Sequence, residues 1–425
     1  MRTIPFIALA LVACKGDDVE LSTTDSGTTP TATPGAFDCG DFEGTELCEG
    51  WLRNTTGQTA ANIVGNDGTP VVVNVRGLSI VDSGGEQFLQ VDTSGIPGYA
   101  YQLTADDVAE LAARPNAATD FVDGSPAVSA GQLVQFGDDV GYDSQSPAGA
   151  CGDGEGFGFW PPGPECPYDV GTLLQIPTDP QPAAEACETG LGITGLWLSG
   201  VSIFNWGDGF AYDDAGEWLN IAGAQEVYDL DICAGHAAAG EYHHHSYSKC
   251  LAAELGDEGD GHSPIYGFAA DGYPIHGPWH DDGTEARSCW VQRDYDDASD
   301  PYGCGGTGER SCLMVDPLDP SLGTRDATSM GPTTIETVVS LSGNSFSGSE
   351  GLYYQDFYYD EACTDAGGAA LDEHNGHDHD GLGYHYHVTF SFPFTMGPTL
   401  RGEVPDNNVN CGGVSAGGMG GGPPM

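Results

Sequence analysis

Basic side chains are scarce. The chain has 425 residues, with 11 Lys and Arg against 64 Asp and Glu, for a formal net charge of −53. So acidic a chain is repelled by nucleic acid and by anionic membrane surfaces, which excludes both as charge-driven partners. Long apolar runs are missing too. After the first dozen residues no stretch is long enough to cross a bilayer as a helix. Helix-period segments are few, the best being the short run Ala105 to Ala113. No two cysteines are spaced Cys-x-x-Cys, which argues against zinc-knuckle and thioredoxin-like chemistry. There is no His-Glu-x-x-His helix, and the Asp cluster Asp294-Tyr-Asp-Asp297 lacks the spacing of an EF-hand loop, although weak calcium binding at such clusters fits the acid excess.

Histidine is present in a repeated pattern. The first copy reads Asp231-Ile-Cys-Ala-Gly235-His236, then Glu241-Tyr242-His243-His244-His245. The second reads Asp372-Glu-His374-Asn375-Gly376-His377, then Gly383-Tyr384-His385-Tyr386-His387. On an extended strand alternate side chains share a face. His243 and His245 therefore pair on one face, as do His385 and His387, while the tyrosines take the other. A third imidazole, His236 or His377, comes from the preceding turn. His-x-His plus one more His suits zinc or copper better than calcium or magnesium. The predicted metal ligands are His236, His243, His245, His377, His385 and His387. Asp231 and Asp372 are placed either to orient ring N–H groups from behind or to cap turns. His244 stands where the second copy has Tyr386, so it is expected to be structural or exposed, not a ligand. His262, His276 and His280 lie near the second hairpin, either lining a pocket or serving as ordinary loop residues.

Strand signals dominate elsewhere: Pro70 to Arg76, Gln87 to Asp92, Gly192 to Leu198 and Val388 to Phe392. The predicted fold is mainly β, with antiparallel sheets and long disulfide-rich loops. The duplication reaches beyond the histidines. Gly195-Leu-Trp-Leu-Ser-Gly200-Val-Ser-Ile203-Phe matches Gly267-Phe-Ala-Ala-Asp-Gly272-Tyr-Pro-Ile275-His in spacing, each reading as a hairpin turned at Ser-Gly or Asp-Gly. One unit thus spans about 190–250 and the other about 262–395, the second interrupted by a Cys-rich insertion at about 283–368. A pseudo-twofold relation is expected to bring the two histidine strands together, in one shared site or two adjacent ones.

The amino terminus carries an address. Ile4 to Val12 is short and apolar, like a signal-peptide core, and Leu11-Val12-Ala13-Cys14 resembles the bacterial lipobox, in which cleavage precedes a Cys that takes lipid. Residues 1–13 are then a lipoprotein signal and 14–38 a Ser/Thr/Pro-rich tether. The main domain is 39–400, and 401–425 is a Gly-rich tail, disordered past Cys411. The implied location is the bacterial cell envelope, at the outer membrane or cell surface, with lipid on Cys14 as the membrane contact. Of 13 cysteines, 12 remain after Cys14, an even number that suits disulfides in an oxidising compartment. Cys39–Cys48 and Cys233–Cys250 are the favoured pairs.

The chain resembles the bacterial YHYH-domain proteins, named for the run seen here as Tyr384-His385-Tyr386-His387. The likeness takes in Thr93 to Pro97, the hairpin ending at Asn205, Gly235-His236, Tyr242 to His245, Cys250-Leu251, His262-Ser-Pro264, Asp271 to Ile275 and Gly376-His377. His244 departs from the Tyr expected there. The resemblance implies a secreted or envelope-anchored domain and no catalytic assignment. Function therefore divides three ways: a lipid-anchored copper or zinc binder, a metal-dependent hydrolytic or oxidative enzyme at the same centre, or a disulfide-braced surface interaction module.

Overall fold

The computed structural model describes residues 36–64, 69–143, 166–300, 302–310, 314–322, 324–325, 331–340, 343–348, 351–379, 381–405 and 409–415. The signal peptide, Cys14 and most of the tether lie outside the described residues, as do Cys151 and Cys312.

The strands that position the histidines form one eight-stranded sheet. Twelve strands carry the argument. β1 (Phe37–Asp38), β2 (Val75–Ser83), β3 (Glu86–Thr93) and β4 (Thr172–Pro177) make a four-stranded sheet in the order β1-β2-β3-β4. β5 (Ile193–Trp197), β6 (Ser202–Phe204), β7 (Gly235–Ala238), β8 (Glu241–His244), β9 (Ile265–Ala269), β10 (Pro274–His276), β11 (Gly376–Asp378) and β12 (Tyr384–His387) make the large sheet, in the order β7-β8-β6-β5-β9-β10-β12-β11. That order is a palindrome of two equivalent units. In each, an antiparallel hairpin (β5-β6 or β9-β10) accepts the histidine strand in parallel (β8 on β6, β12 on β10), and an outer antiparallel strand closes the edge. The two units join through the antiparallel pair β5-β9, Leu196 facing Phe268.

The local sequence explains the hairpins. Gly200 and Gly272 sit at φ of 81° and 93°, where a side chain is strained, and each sends its N–H back to the residue three before it, Trp197 or Ala269. At the junction, a Cβ on Gly195 would stand 2.6 Å from Phe268 O, and one on Gly267 would stand 2.4 Å from Leu196 O. The two backbones can approach this closely only because both positions are glycine.

The pseudo-twofold relation holds, but its expected consequence does not. The histidine strands β8 and β12 are not brought together. Five strand steps separate them, about 24 Å at about 4.8 Å per step. The reason is that the units meet through β5 and β9, the strands farthest in each unit from the edge that carries the histidines.

Residues that pair across the sheet share a face. From His243↔Ser202, Ser202↔Leu196 and Leu196↔Phe268, the His243 face is the Leu196 and Phe268 face. Phe268↔Pro274 and His276↔His387 put the second histidine set on it too. Against the middle of this face packs the four-stranded sheet, where Val75, Leu78, Leu89, Val91, Leu174 and Ile176 bury Leu196, Leu198, Phe268 and Ala270. Burying each Val, Leu, Ile or Phe here contributes about 1.5–3 kcal/mol. The opposite face carries Trp197, Ile203, Tyr242, Ile275 and Tyr386, packed with Tyr99, Phe136 and Tyr266 in the main core.

Four disulfides are seen in full: Cys39–Cys48, Cys187–Cys411, Cys233–Cys250 and Cys289–Cys363. The first and third are the expected pairs. Cys166 and Cys304 are also disulfide-bonded. Cys289–Cys363 closes the base of the insertion, a loop of about 74 residues whose cross-linking is worth about 4 kcal/mol of chain entropy. Arg310 and Asp356 form a fully buried ion pair inside that insertion.

Some expectations shift. The helix lies at α1 (Ala105–Ala112), with a Thr104/Asp107 capping box. The strand expected over Pro70 to Arg76 breaks at Asn74, which takes φ 63°. Val388 to Phe392 is not a strand: the Val388 N–H still reaches His276 O, but Thr389 N–H turns to Phe394 O and ends the ladder. The chain beyond 400 does not begin as a tail. The strand Thr399–Gly402 pairs with Pro182–Glu188, and Cys411 is tied to Cys187.

Candidate metal centres

In the first unit, His236 on β7 faces His243 on β8 directly, and His245 follows two residues later on the same side. The three rings lie 4.7 to 5.6 Å apart between centroids and are almost wholly buried. His243 Nδ1 lies 2.9 Å from Glu241 O, and His245 Nδ1 lies 2.6 Å from Asn205 O. A carbonyl can only accept, so each Nδ1 carries the proton and each Nε2 presents a lone pair. Those two Nε2 atoms face each other at 3.1 Å. Two lone pairs at that distance suit a positive centre between them. A proton is disfavoured, because burial holds the ring of His245 down to about 4 and that of His243 well below its usual range. A metal ion fits. Nitrogens bound at about 2.0–2.1 Å on a tetrahedral ion stand about 3.3 Å apart.

A carboxylate borders this set of three. Glu226 Oε2 is 3.4 Å from His236 Nε2 and 3.5 Å from His245 Nε2. That oxygen is buried without a hydrogen bond, as are both ring nitrogens of His236. Burial pushes the Glu226 carboxyl well above its usual range, and the charges of Asp208 and Asp229 add to the effect. A cation would reverse that balance.

The second unit repeats the design. His377 on β11 faces His385 on β12, and His387 lies two residues on. His385 Nδ1 lies 2.8 Å from Gly383 O and His387 Nδ1 2.6 Å from Gly277 O. These carbonyls occupy the same repeat positions as Glu241 and Asn205. The Nε2 atoms of His377, His385 and His387 are buried without hydrogen bonds. Burial lowers the His377 ring to about 3 and the His385 ring to about 4. His262 joins them, its ring 5.2 Å from His385 and 5.0 Å from His387. His262, His377, His385 and His387 thus form one group of donor atoms that can hold a metal ion, and His236, His243 and His245 form another. His280, His377 and His379 form a third, half-exposed group.

The six predicted ligands therefore gather three and three. Sequence reading missed Glu226 and His379 and left His262 and His280 undecided. Glu226 is one of several acidic residues in the long β6–β7 connection, and nothing in the sequence singled it out. His379 lay in view, two residues after His377. The ring-orienting role weighed for Asp231 and Asp372 falls instead to main-chain carbonyls. Asp231 accepts the Tyr242 hydroxyl at 2.7 Å and the N–H groups of Cys233 and Gly235; Asp372 does the same for Tyr384, His374 and Gly376. They lock the turn that delivers Gly-His. A Cβ on Gly235 or Gly376 would meet the Tyr242 or Tyr384 hydroxyl at under 2.5 Å, so only glycine admits the tyrosine.

His244 is structural. It is fully buried on the tyrosine face, stacked at 6.2 Å on Tyr99. In the second unit Tyr386 fills this place and donates to Asp271 at 2.5 Å. Asp271 corresponds to Ser199, whose hydroxyl meets that of Tyr99 at 3.2 Å. One unit supplies the phenol from the repeat, the other from outside it.

Both Gly-His/Tyr-His-x-His strand pairs fall within residues 173–402, over which a family model described as YHYH protein matches. The chain belongs to the YHYH protein family. That match covers more than half of its length and both units of the eight-stranded sheet. No curated protein and no solved structure matches the chain.

Proposed function

We propose that this YHYH protein binds transition metal at two separate histidine centres while held at the bacterial envelope by lipid on Cys14. The observation that carries the reading is the facing Nε2 pair of His243 and His245, each with its Nδ1 committed to a carbonyl. An all-imidazole quartet in one unit, and three imidazoles with a carboxylate in the other, suit Zn(II) or Cu(II) and offer no oxygen cage for calcium. The lipid anchor rests on Leu11 to Cys14 and on the disulfides, which belong to an oxidising compartment.

The test is elemental analysis of protein isolated from its own compartment without a metal column. The expected result is two equivalents of zinc or copper per chain; metal-free protein overturns the reading. For the anchor, Cys14→Ser should abolish incorporation of labelled fatty acid, and unchanged labelling refutes it. A metal-dependent enzyme is the second reading, favoured by the half-exposed His262 and His377, which leave the second centre open to a small ligand. Azide added to the cobalt-loaded protein should then change the visible spectrum of that centre; no change counts against it.

A further inference from the structure

Among the described residues, the second centre has an outer neighbour that the first lacks. The ring of His377 stands 5.0 and 5.1 Å from those of His385 and His387, and 5.3 and 5.4 Å from those of His280 and His379. It is thus equidistant from two inner and two outer imidazoles. His280 and His379 are in contact with each other at 4.1 Å. Burial is graded along this path. His385 and His387 are buried, His377 is half-buried, and so are His280 and His379. The exposed carboxylates Asp281, Asp282 and Asp378 adjoin the outer rings in sequence and raise the local cation concentration.

His377 belongs to both groups. Two divalent ions a few ångströms apart repel strongly, and every donor in both groups is an imidazole nitrogen, which brings no negative charge to offset that repulsion. The two groups are therefore filled in turn. We infer that His280, His377 and His379 form a loading site, which captures a hydrated divalent cation and passes it by ligand exchange through His377 to the inner quartet of His262, His377, His385 and His387. The inference rests on the metal-binding reading above. It is specific to the second unit: at the positions of Asp378 and His379, the first unit has Ala237 and Ala238.

The test uses the metal-free full chain, Co(II) as probe and stopped-flow absorbance. The phase belonging to the second unit is the one lost in His385→Ala/His387→Ala. In His280→Ala/His379→Ala the final number of bound ions should match wild type, while that phase slows at least tenfold. Removal by a chelator should slow by the same factor, because a transfer path changes both rates and not the equilibrium. Circular dichroism controls for folding, and both substituted side chains are half-exposed. Unchanged rates overturn the loading site alone, and so does the loss of one bound ion, which would mark an independent site. Failure of the wild-type protein to take up cobalt overturns the metal-binding reading itself.

Discussion

The centre of the first unit is closed and that of the second is half open, although both stand on the same strands. In each, an outer-strand His faces a His of the Tyr-His-x-His strand, and the two strand imidazoles give their Nδ1 protons to equivalent carbonyls. What differs is the long connection before the outer strand. In the first unit it covers 205–234 and brings Glu226 against the rings. In the second it covers 277–375, carries the disulfide-closed insertion, and brings His280. The position that is Phe204 in the first unit is His276 in the second. Phe204 stacks on His243 at 3.8 Å, whereas His276 stands 4.6 Å from His385. The strands thus set where an ion could be held, and the connections set the charge and access of that place.

The sharpest break in this comparison removes one centre at a time. Replacing both His243 and His245 with Ala should cost one metal ion per chain, and so should replacing both His385 and His387, with the other ion kept in each case. Native mass spectrometry reads the count; loss of both ions from either variant would mean that the centres are coupled across the sheet.

The Asp that locks each turn should matter unequally. Asp231→Ala leaves two backbone N–H groups and a buried hydroxyl unpaired, a cost of about 3 kcal/mol or more. Asp372 is partly exposed, so water can replace its carboxylate and Asp372→Ala should cost about half as much. Denaturant unfolding of both variants measures the difference, and equal costs would contradict the closed and open description.

Glu226→Gln should weaken the first centre about 10- to 100-fold, the range seen for neighbours that tune a metal site, and leave the second unchanged. Competition with a chelator at each centre checks this.

The smallest effect on metal binding lies at His244. Burial holds its ring at about 3, below its unfolded value of about 6.5. As pH falls from 6.5 toward 3 the unfolded chain takes the proton and the folded chain does not, so the stability that His244 contributes at neutral pH is lost across this window. His244→Leu should make the stability curve shallower there by about 1.4 kcal/mol per pH unit and leave metal uptake unchanged. An unaltered acid slope in thermal melts, or a lost ion, would show that His244 belongs with the ligands.

Much of this was legible in one dimension. Alternation along Tyr384 to His387 determined which side chains share a face, because a strand has period two. The duplicated spacing of Gly-His and Tyr-His-x-His determined that there would be two like sets of three. The hairpins at Gly200 and Gly272 followed from turn chemistry; Cys39–Cys48 was favoured as a local pair and Cys233–Cys250 because it brackets the first histidine strand. Only the tertiary structure decided the rest. It placed the two sets at opposite ends of the sheet because the units join through β5 and β9, a pairing that depends on the close approach of Gly195 and Gly267. It brought Glu226 to one centre, and His262 and His280 to the other, across gaps that no local period spans. It also gave the Nδ1 protons to the backbone and not to Asp231 and Asp372. Strand periodicity is a property of neighbouring residues; a fourth ligand and the separation of the centres depend on how distant segments pack.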